Sequence, residues 1–383
     1  MRFPEFEGEW KETKFGEMAT NRSLKFNPEK SKVPVKCIEL EHISGGNGEL
    51  LGFIDGSQSG SIKNVFYEGD VLFGKLRPYL RKYLQAPFDG VCSSEIWVLR
   101  GKMVANSFLY QIVQTDKFVD LANQSSGSKM PRADWNVVID GIVSFPTSGE
   151  QEKISKFLKT LDERIQTQNK IIENLKVQML GLQEKLFRQK IKIKDGNGNT
   201  FPEWKQTYGG DLFSSVSNKN HNSDLPILAI TQEQGAVPRD SIDYQISVSD
   251  KSVENYKVVD IGDFIISLRS FQGGIEYSCY KGICSPAYII LRSKHEVEKL
   301  FYKYYFKTAD YIKLLNKKLE GIRDGKMISY TYFSEIELPF PPIKEQVIIS
   351  NILLFFEQKI EIEKRILKGY ENQKQYLLQN LFI

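Results

Sequence analysis

Four short stretches of this chain combine cations, small hydroxyls and glycine in the mixture that phosphate recognition uses. Gly74 to Lys82 reads GKLRPYLRK and places Lys75, Arg77, Arg81 and Lys82 within nine residues, with Gly74 and Pro78 marking a turn after an apolar run. Gln124 to Arg132 reads QSSGSKMPR and offers Ser128, Lys129 and Arg132 around a flexible glycine. Ser267 to Gly274 (SLRSFQGG) supplies Arg269, Ser270 and Gln272, and Gly321 to Met327 (GIRDGKM) supplies Arg323 and Lys326. Exposed Lys and Arg, hydroxyls and free backbone N–H groups meet phosphate oxygens, whereas Arg, Asn and Gln read base edges. A single charged loop is most often only solvated. The weight here comes from recurrence at matching places in the two halves of the chain.

Chemistry of the catalytic kind is missing from the motifs. There is no G-x-x-x-x-G-K-[ST] loop, no G-x-S-x-G elbow, no Asn-Pro-Pro-Tyr type signature for base methylation and no clear carboxylate–lysine nuclease cluster. His42, His221 and His295 lie far apart and lack metal-ligand spacing. The sequence therefore predicts no catalytic residue, no metal site and no cofactor in this chain. Cys37, Cys92, Cys279 and Cys284 form no C-x-x-C pair, which suits a reducing cytoplasm, and Cys92 and Cys284 read as buried small hydrophobes. The N-terminus has no signal-peptide core, and the longest apolar stretch, Val347 to Phe356, is short of the ~20 residues a membrane span needs. A soluble protein is expected. The net charge of +4, from 52 basic and 48 acidic residues, leaves any nucleic-acid argument to the distribution of charge.

The elements that must position these loops are written twice. Gly90 to Arg100 (GVCSSEIWVLR) returns as Gly282 to Arg292 (GICSPAYIILR), with five of eleven positions identical. Trp10-Lys11 returns as Trp204-Lys205, Gly69-Asp70 as Gly262-Asp263, Lys129-Met130 as Lys326-Met327, Glu150-Gln151 as Glu345-Gln346 and Leu186-Phe187 as Leu381-Phe382. The offset is far longer than the ~20–50 residues of a solenoid module, so it marks a duplicated domain. Each copy opens with a glycine-rich part. Val71 to Phe73, Ile96 to Leu99, Phe264 to Leu268 and Tyr288 to Leu291 read as strands, and Ser107 to Ala122 and Val297 to Leu319 as helices. The fold class is mixed: α/β or α+β globules of ~140 residues.

A heptad seam follows each globule. Ile154, Leu158, Leu161, Ile165, Gln168, Ile172, Leu175, Met179, Leu182 and Leu186 alternate steps of four and three without a slip. The second copy reads Ile349, Leu353, Phe356, Ile360, Glu363, Leu367, Tyr370, Lys374, Leu377 and Leu381. Such a seam belongs to a coiled-coil helix, here roughly 50 Å long at ~1.5 Å per residue. The nearest partner for one seam is the other. In a chain that passes from globule to helix to globule to helix, that pairing is antiparallel, with the globules inverted. Gln168 and Glu363, near the two midpoints, should then meet and set the stagger. The alternative is that the two seams make coiled coils with other chains. The expected domains are a first globule at 1–148, a central helix at 149–194, a second globule at 195–343 and a C-terminal helix at 344–383.

This order resembles the specificity subunits of Type I restriction–modification systems. The resemblance rests on two globules alternating with two long helices, each entered through proline and then Glu-Gln: Phe145-Pro146 to Glu150-Gln151, and Phe340-Pro341-Pro342-Ile343-Lys344-Glu345-Gln346. The first copy departs from the pattern by carrying Thr147-Ser148-Gly149 in place of Pro-Ile-Lys. The helix ends Leu186-Phe187 and Leu381-Phe382, and Arg269 to Gly274, also look like the family's. The resemblance implies a non-catalytic subunit that recognises a bipartite sequence in double-stranded DNA, one half-site per globule. It implies two methyltransferase (M) subunits held on this chain and restriction (R) subunits that join them. S-adenosylmethionine, ATP and Mg would belong to those partners. The competing reading is a coiled-coil scaffold whose globules bind proteins or glycans.

Overall fold

The computed structural model describes residues 1–31, 33–124, 130–221, 224–242, 253–317 and 328–382. The chain folds as two compact units: Met1–Ile171 together with Glu363–Ile383, and Ile172–Ile362. The boundary cuts through both long helices, Ser148–Phe187 and Ile343–Leu381, so each unit owns part of each helix. The first helix stops at Phe187, short of the expected 194, and Arg188 onward is turn and isolated bridge.

In the first unit a four-stranded sheet runs in the order Ala19–Thr20, Ile96–Gly101, Val71–Gly74, Tyr83–Gln85. The second unit repeats it as Phe213–Val216, Ile289–Ser293, Phe264–Ile266, Glu276–Tyr277. Each unit also pairs its first strand with its last, Lys11–Lys14 with Ile142–Phe145 and Lys205–Tyr208 with Glu337–Phe340. The strand that ends at Ile266 is shorter than expected because Ser267 already begins a turn, its N–H donating to Ser270 Oγ at 2.8 Å.

Each expected helix of the globules is two. Asn106–Ile112 and Asp116–Asn123 are separated at Thr115, whose hydroxyl donates to the Ile112 carbonyl at 2.7 Å and accepts from Phe118 N–H at 3.3 Å. Lys299–Tyr305 and Ala309–Asn316 are separated in the same way at Thr308. The hydroxyl satisfies a carbonyl of one helix and caps the next, so the apolar period continues while the backbone turns.

The repeated sequence signals turn out to be fasteners. Arg100, the last residue of the first repeated segment, forks onto Asp70 with Nε–Oδ1 at 2.8 Å and Nη2–Oδ2 at 2.6 Å. Arg292 forks onto Asp263 at 2.8 and 2.6 Å. Gly69 and Gly262 precede those aspartates at φ of 84° and 89°, a left-handed backbone that a side chain disfavours. The paired glutamines do a second job. Gln151 donates to the Pro146 carbonyl at 2.9 Å and accepts from Ala105 N–H at 3.1 Å. Gln346 donates to Pro341 at 2.8 Å and accepts from Glu298 N–H at 3.0 Å. Each glutamine bolts the first turn of a long helix to its globule. The neighbouring acids differ: Glu150 receives the Arg2 guanidinium at 2.7 and 2.8 Å, whereas buried Glu345 is bound by Trp204 and has no cation among the described residues.

Within the first unit, the N-terminal part of Ser148–Phe187 and the C-terminal part of Ile343–Leu381 run antiparallel. Asp162 meets Lys374 Nζ at 2.5 Å, and Gln168 donates to the Glu363 carboxylate, so one helix number rises as the other falls. The seam enters the core: Ile154, Leu158, Leu161, Ile165, Leu377 and Leu381 are buried against Phe73, Trp97, Phe108 and Phe118. The second unit buries Leu186, Ile349 and Leu353 against Phe301, Phe306 and Phe333. At roughly 25 cal/mol per Å² of apolar surface, this burial outweighs any helix propensity as the reason the seams exist.

Candidate nucleic-acid interface

The structure joins two stretches of the first unit that are far apart in sequence. Leu76 bridges Arg132, Ala133 N–H donates to the Lys75 carbonyl at 2.8 Å, and Arg77 N–H donates to the Pro131 carbonyl at 2.7 Å. Lys75, Arg77 and Arg132 thereby share one edge, at the end of strand Val71–Gly74. Around the short 3-10 turn Pro78–Leu80, Arg77 and Arg81 both adopt left-handed backbone, φ 54° and 50°. Such residues cost about 1–3 kcal/mol each and persist only where the surroundings hold them. Here Leu80 and Arg81 N–H groups return to Arg77 and Pro78, and Gly46 N–H caps the Arg81 carbonyl at 2.9 Å.

The cations of this loop divide into two jobs. The Arg81 guanidinium pairs with Asp116 and donates to the Gln114 carbonyl at 3.1 Å, and Lys82 Nζ donates to the Leu40 carbonyl at 2.6 Å. Both therefore tie the loop to its own globule. Arg132 lies against Glu95 at 3.1 Å and stays more than half exposed. Arg77 is exposed, with no side-chain bond among the described residues, and Lys75 is half-buried. Ser128, Lys129, Arg323 and Lys326 lie outside the described residues.

In the second unit Arg269 follows the matching strand and is exposed, as is Gln272. Ser270 is not presented outward: it is buried, and its hydroxyl oxygen accepts from Ser267 N–H to hold the turn. Beside Arg269 opens a cavity of about 660 Å³ whose lining includes Thr231, Gln232, Gln234, Glu276 and Tyr288. The Gln232 amide reaches the Arg269 carbonyl at 3.4 Å. The hairpin Leu228–Thr231/Gly235–Pro238 delivers these amides, turning at Gly235 with φ 73°. Sequence reasoning passed over it, although Thr231-Gln232-Glu233-Gln234 is a run of readout side chains just before a turn glycine. Among the described residues no group of three or more His, Cys, Asp or Glu converges to hold a metal ion.

The family model for the Type I restriction modification DNA specificity domain matches twice, over residues 7–177 and 206–372. The chain belongs to that family. The Type I restriction enzyme EcoDI specificity subunit of Escherichia coli is 28% identical over 167 residues, which is 43% of this chain and 36% of the relative. The type I restriction enzyme MjaX specificity subunit of Methanocaldococcus jannaschii is 26% identical over 254 residues, 62% of this chain and 58% of the relative. The aligned regions thus span less than two thirds of either relative. A solved structure described as the basis of complex assembly and conformational transition of the type I R-M system shares the fold. It has TM-score 0.58 and 19% identity, covering 98% of this chain and 97% of that one. Two specificity domains, long helices and mixed α/β globules are thus common ground. The repeated fasteners, Asp70–Arg100 and Asp263–Arg292, belong to the domain's frame, while Arg77 and Arg269 stand on the loops where the copies differ.

Proposed function

We propose that this chain is the non-catalytic sequence-recognition subunit of a Type I restriction–modification complex. It reads a bipartite target in double-stranded DNA, one half-site per globule, and holds two methyltransferase subunits to which restriction subunits join. S-adenosylmethionine, ATP and Mg are then the partners' cofactors, and the complex works in the cytoplasm. The observation that supports this best is the double match to a DNA specificity domain within one chain. Exposed arginines at the equivalent strand end of both copies agree with it.

The test is the methylome of the host with and without this chain, together with duplex binding across a salt series. Binding through phosphates falls linearly in log affinity with log[salt]. A chain that binds no duplex even at low salt favours the protein or glycan scaffold. Arg77→Ala and Arg269→Ala should each weaken binding. A base contact costs ~1–3 kcal/mol at one position of the target, and a phosphate contact lowers affinity for all sequences and reduces the salt slope by about one. Unchanged affinity and slope would remove that arginine from the interface.

A further inference from the structure

The cavity beside Arg269 holds a carboxylate that the fold leaves half used. Glu276 pairs with Ile265 in the sheet, the place that Leu84 takes opposite Leu72 in the first unit. An acid thus stands in the second copy where the first has a buried leucine. Its cation, Lys307, is equally unmatched: it precedes Thr308 as Gln114 precedes Thr115. Lys307 Nζ donates to Glu276 Oε1 at 2.5 Å and to the Gly273 carbonyl at 2.9 Å. The second carboxylate oxygen, Oε2, is buried and has no hydrogen-bond partner among the described residues, and Glu276 as a whole is only 2% exposed.

Stability does not explain this arrangement. Apolar residues do as well as a buried ion pair or better, and a buried acceptor without a donor is a cost. An acceptor held in reserve suits a ligand that brings the donor. The cavity's lining also includes Gln232 and the half-buried ring of Tyr288, with Arg269 alongside, while the Thr231 hydroxyl is taken up by its own hairpin, donating to the Gly235 carbonyl at 3.1 Å and accepting from Gln234 N–H at 3.0 Å. Among the base edges of the major groove, cytosine N4 and adenine N6 donate, whereas guanine O6 and thymine O4 only accept and are repelled by a carboxylate.

We propose that Glu276 is a specificity-determining residue whose free carboxylate oxygen accepts a hydrogen bond from the exocyclic amine of a cytosine or adenine in one half-site. The assignment rests on the DNA-reading function proposed above. It carries a directional consequence for Glu276→Gln. The Lys307 ammonium can only donate, so the new amide must turn its carbonyl toward Lys307 and its NH₂ into the place of Oε2. An acceptor becomes a donor, and the matching base changes from an amino to a keto type.

The experiment selects randomised duplexes with the full chain assembled with its methyltransferase subunits, as wild type and as Glu276→Gln. One position of one half-site should change from A or C to G or T, with the other half-site untouched. A second arm needs no variant. Wild-type complex is titrated with target duplexes in which each adenine or cytosine of the half-site is replaced by purine or pyrimidin-2-one, which lack the amine. One such replacement should weaken binding roughly 10–100-fold, the range of a hydrogen bond to a charged group. A wild-type preference that Glu276→Gln shares, or the absence of any amine-dependent position, overturns the assignment and leaves DNA reading standing. A wild-type complex that selects no duplex overturns both.

Discussion

Ending the chain before Glu363 should unfold the globule at the other end of the sequence. Residues Glu363–Ile383 belong to the same compact unit as Met1–Ile171, and they place Leu377 and Leu381 in its core with Leu367, Tyr370 and Leu378 packed around them. Each buried leucine is worth about 2–5 kcal/mol in a core. Their loss opens the core that holds Leu158, Leu161 and Ile165 and strips Asp162 of Lys374. Together these losses reach the ~5–15 kcal/mol that holds a domain. Amide hydrogen exchange is the measurement: protection should collapse across 1–171 and persist across 172–362. Supplying the missing segment as a peptide should restore part of it. Protection of 1–171 that survives truncation would mean the globule closes without the returning helix.

The second large effect comes from one side chain. Lys374→Met keeps most of the apolar stem but leaves Asp162, which is 9% exposed, with no cation. Removing one partner of a buried pair costs ~3–5 kcal/mol. The pH dependence has a definite sign. Burial pushes the Asp162 carboxyl above its ordinary value, and Lys374 only partly opposes this. A carboxyl with a raised folded-state pKa costs stability when ionised, and the cost is relieved as pH falls through that raised value toward the unfolded one. Without Lys374 the pKa rises further, so the deficit of the variant should be largest near neutral pH and shrink on acidification. Denaturant midpoints for the first unit at several pH values give the comparison. Adding Asp162→Leu should recover most of the loss, because no charge remains to be buried. A deficit independent of pH would place the effect in packing instead.

The duplication and the seams were legible because burial obeys simple periods. All ten positions of each predicted seam are buried or half-buried, and Gln168 does meet Glu363. What escaped the sequence was pairing across long separations. Lys374 is a charged position in the second seam, and its partner Asp162 lies one place outside the first seam. Arg81 and Lys82 looked like ligand cations because nothing in a linear reading shows Asp116 or the Leu40 carbonyl arriving beside them. Arg77 and Arg132 could be named singly, but their adjacency follows from a backbone bridge that no spacing encodes. Glu276 was invisible for the opposite reason: one acid in a strand reads as solvated until the sheet register buries it. The single helices expected at 107–122 and 297–319 failed at Thr115 and Thr308, where an unbroken apolar period hides a change of direction.

The way the first unit is assembled from two distant segments also orders events at the ribosome. Ile172–Ile362 is continuous, so the second globule has all its own residues before the first has its closing helix. At ~5–20 residues per second, the first globule waits roughly 10–40 s while those intervening residues are made. Through that interval the first core lacks Leu377 and Leu381, and Asp162 lacks Lys374. The first globule therefore waits with an incomplete core, and chaperone capture during translation should concentrate there.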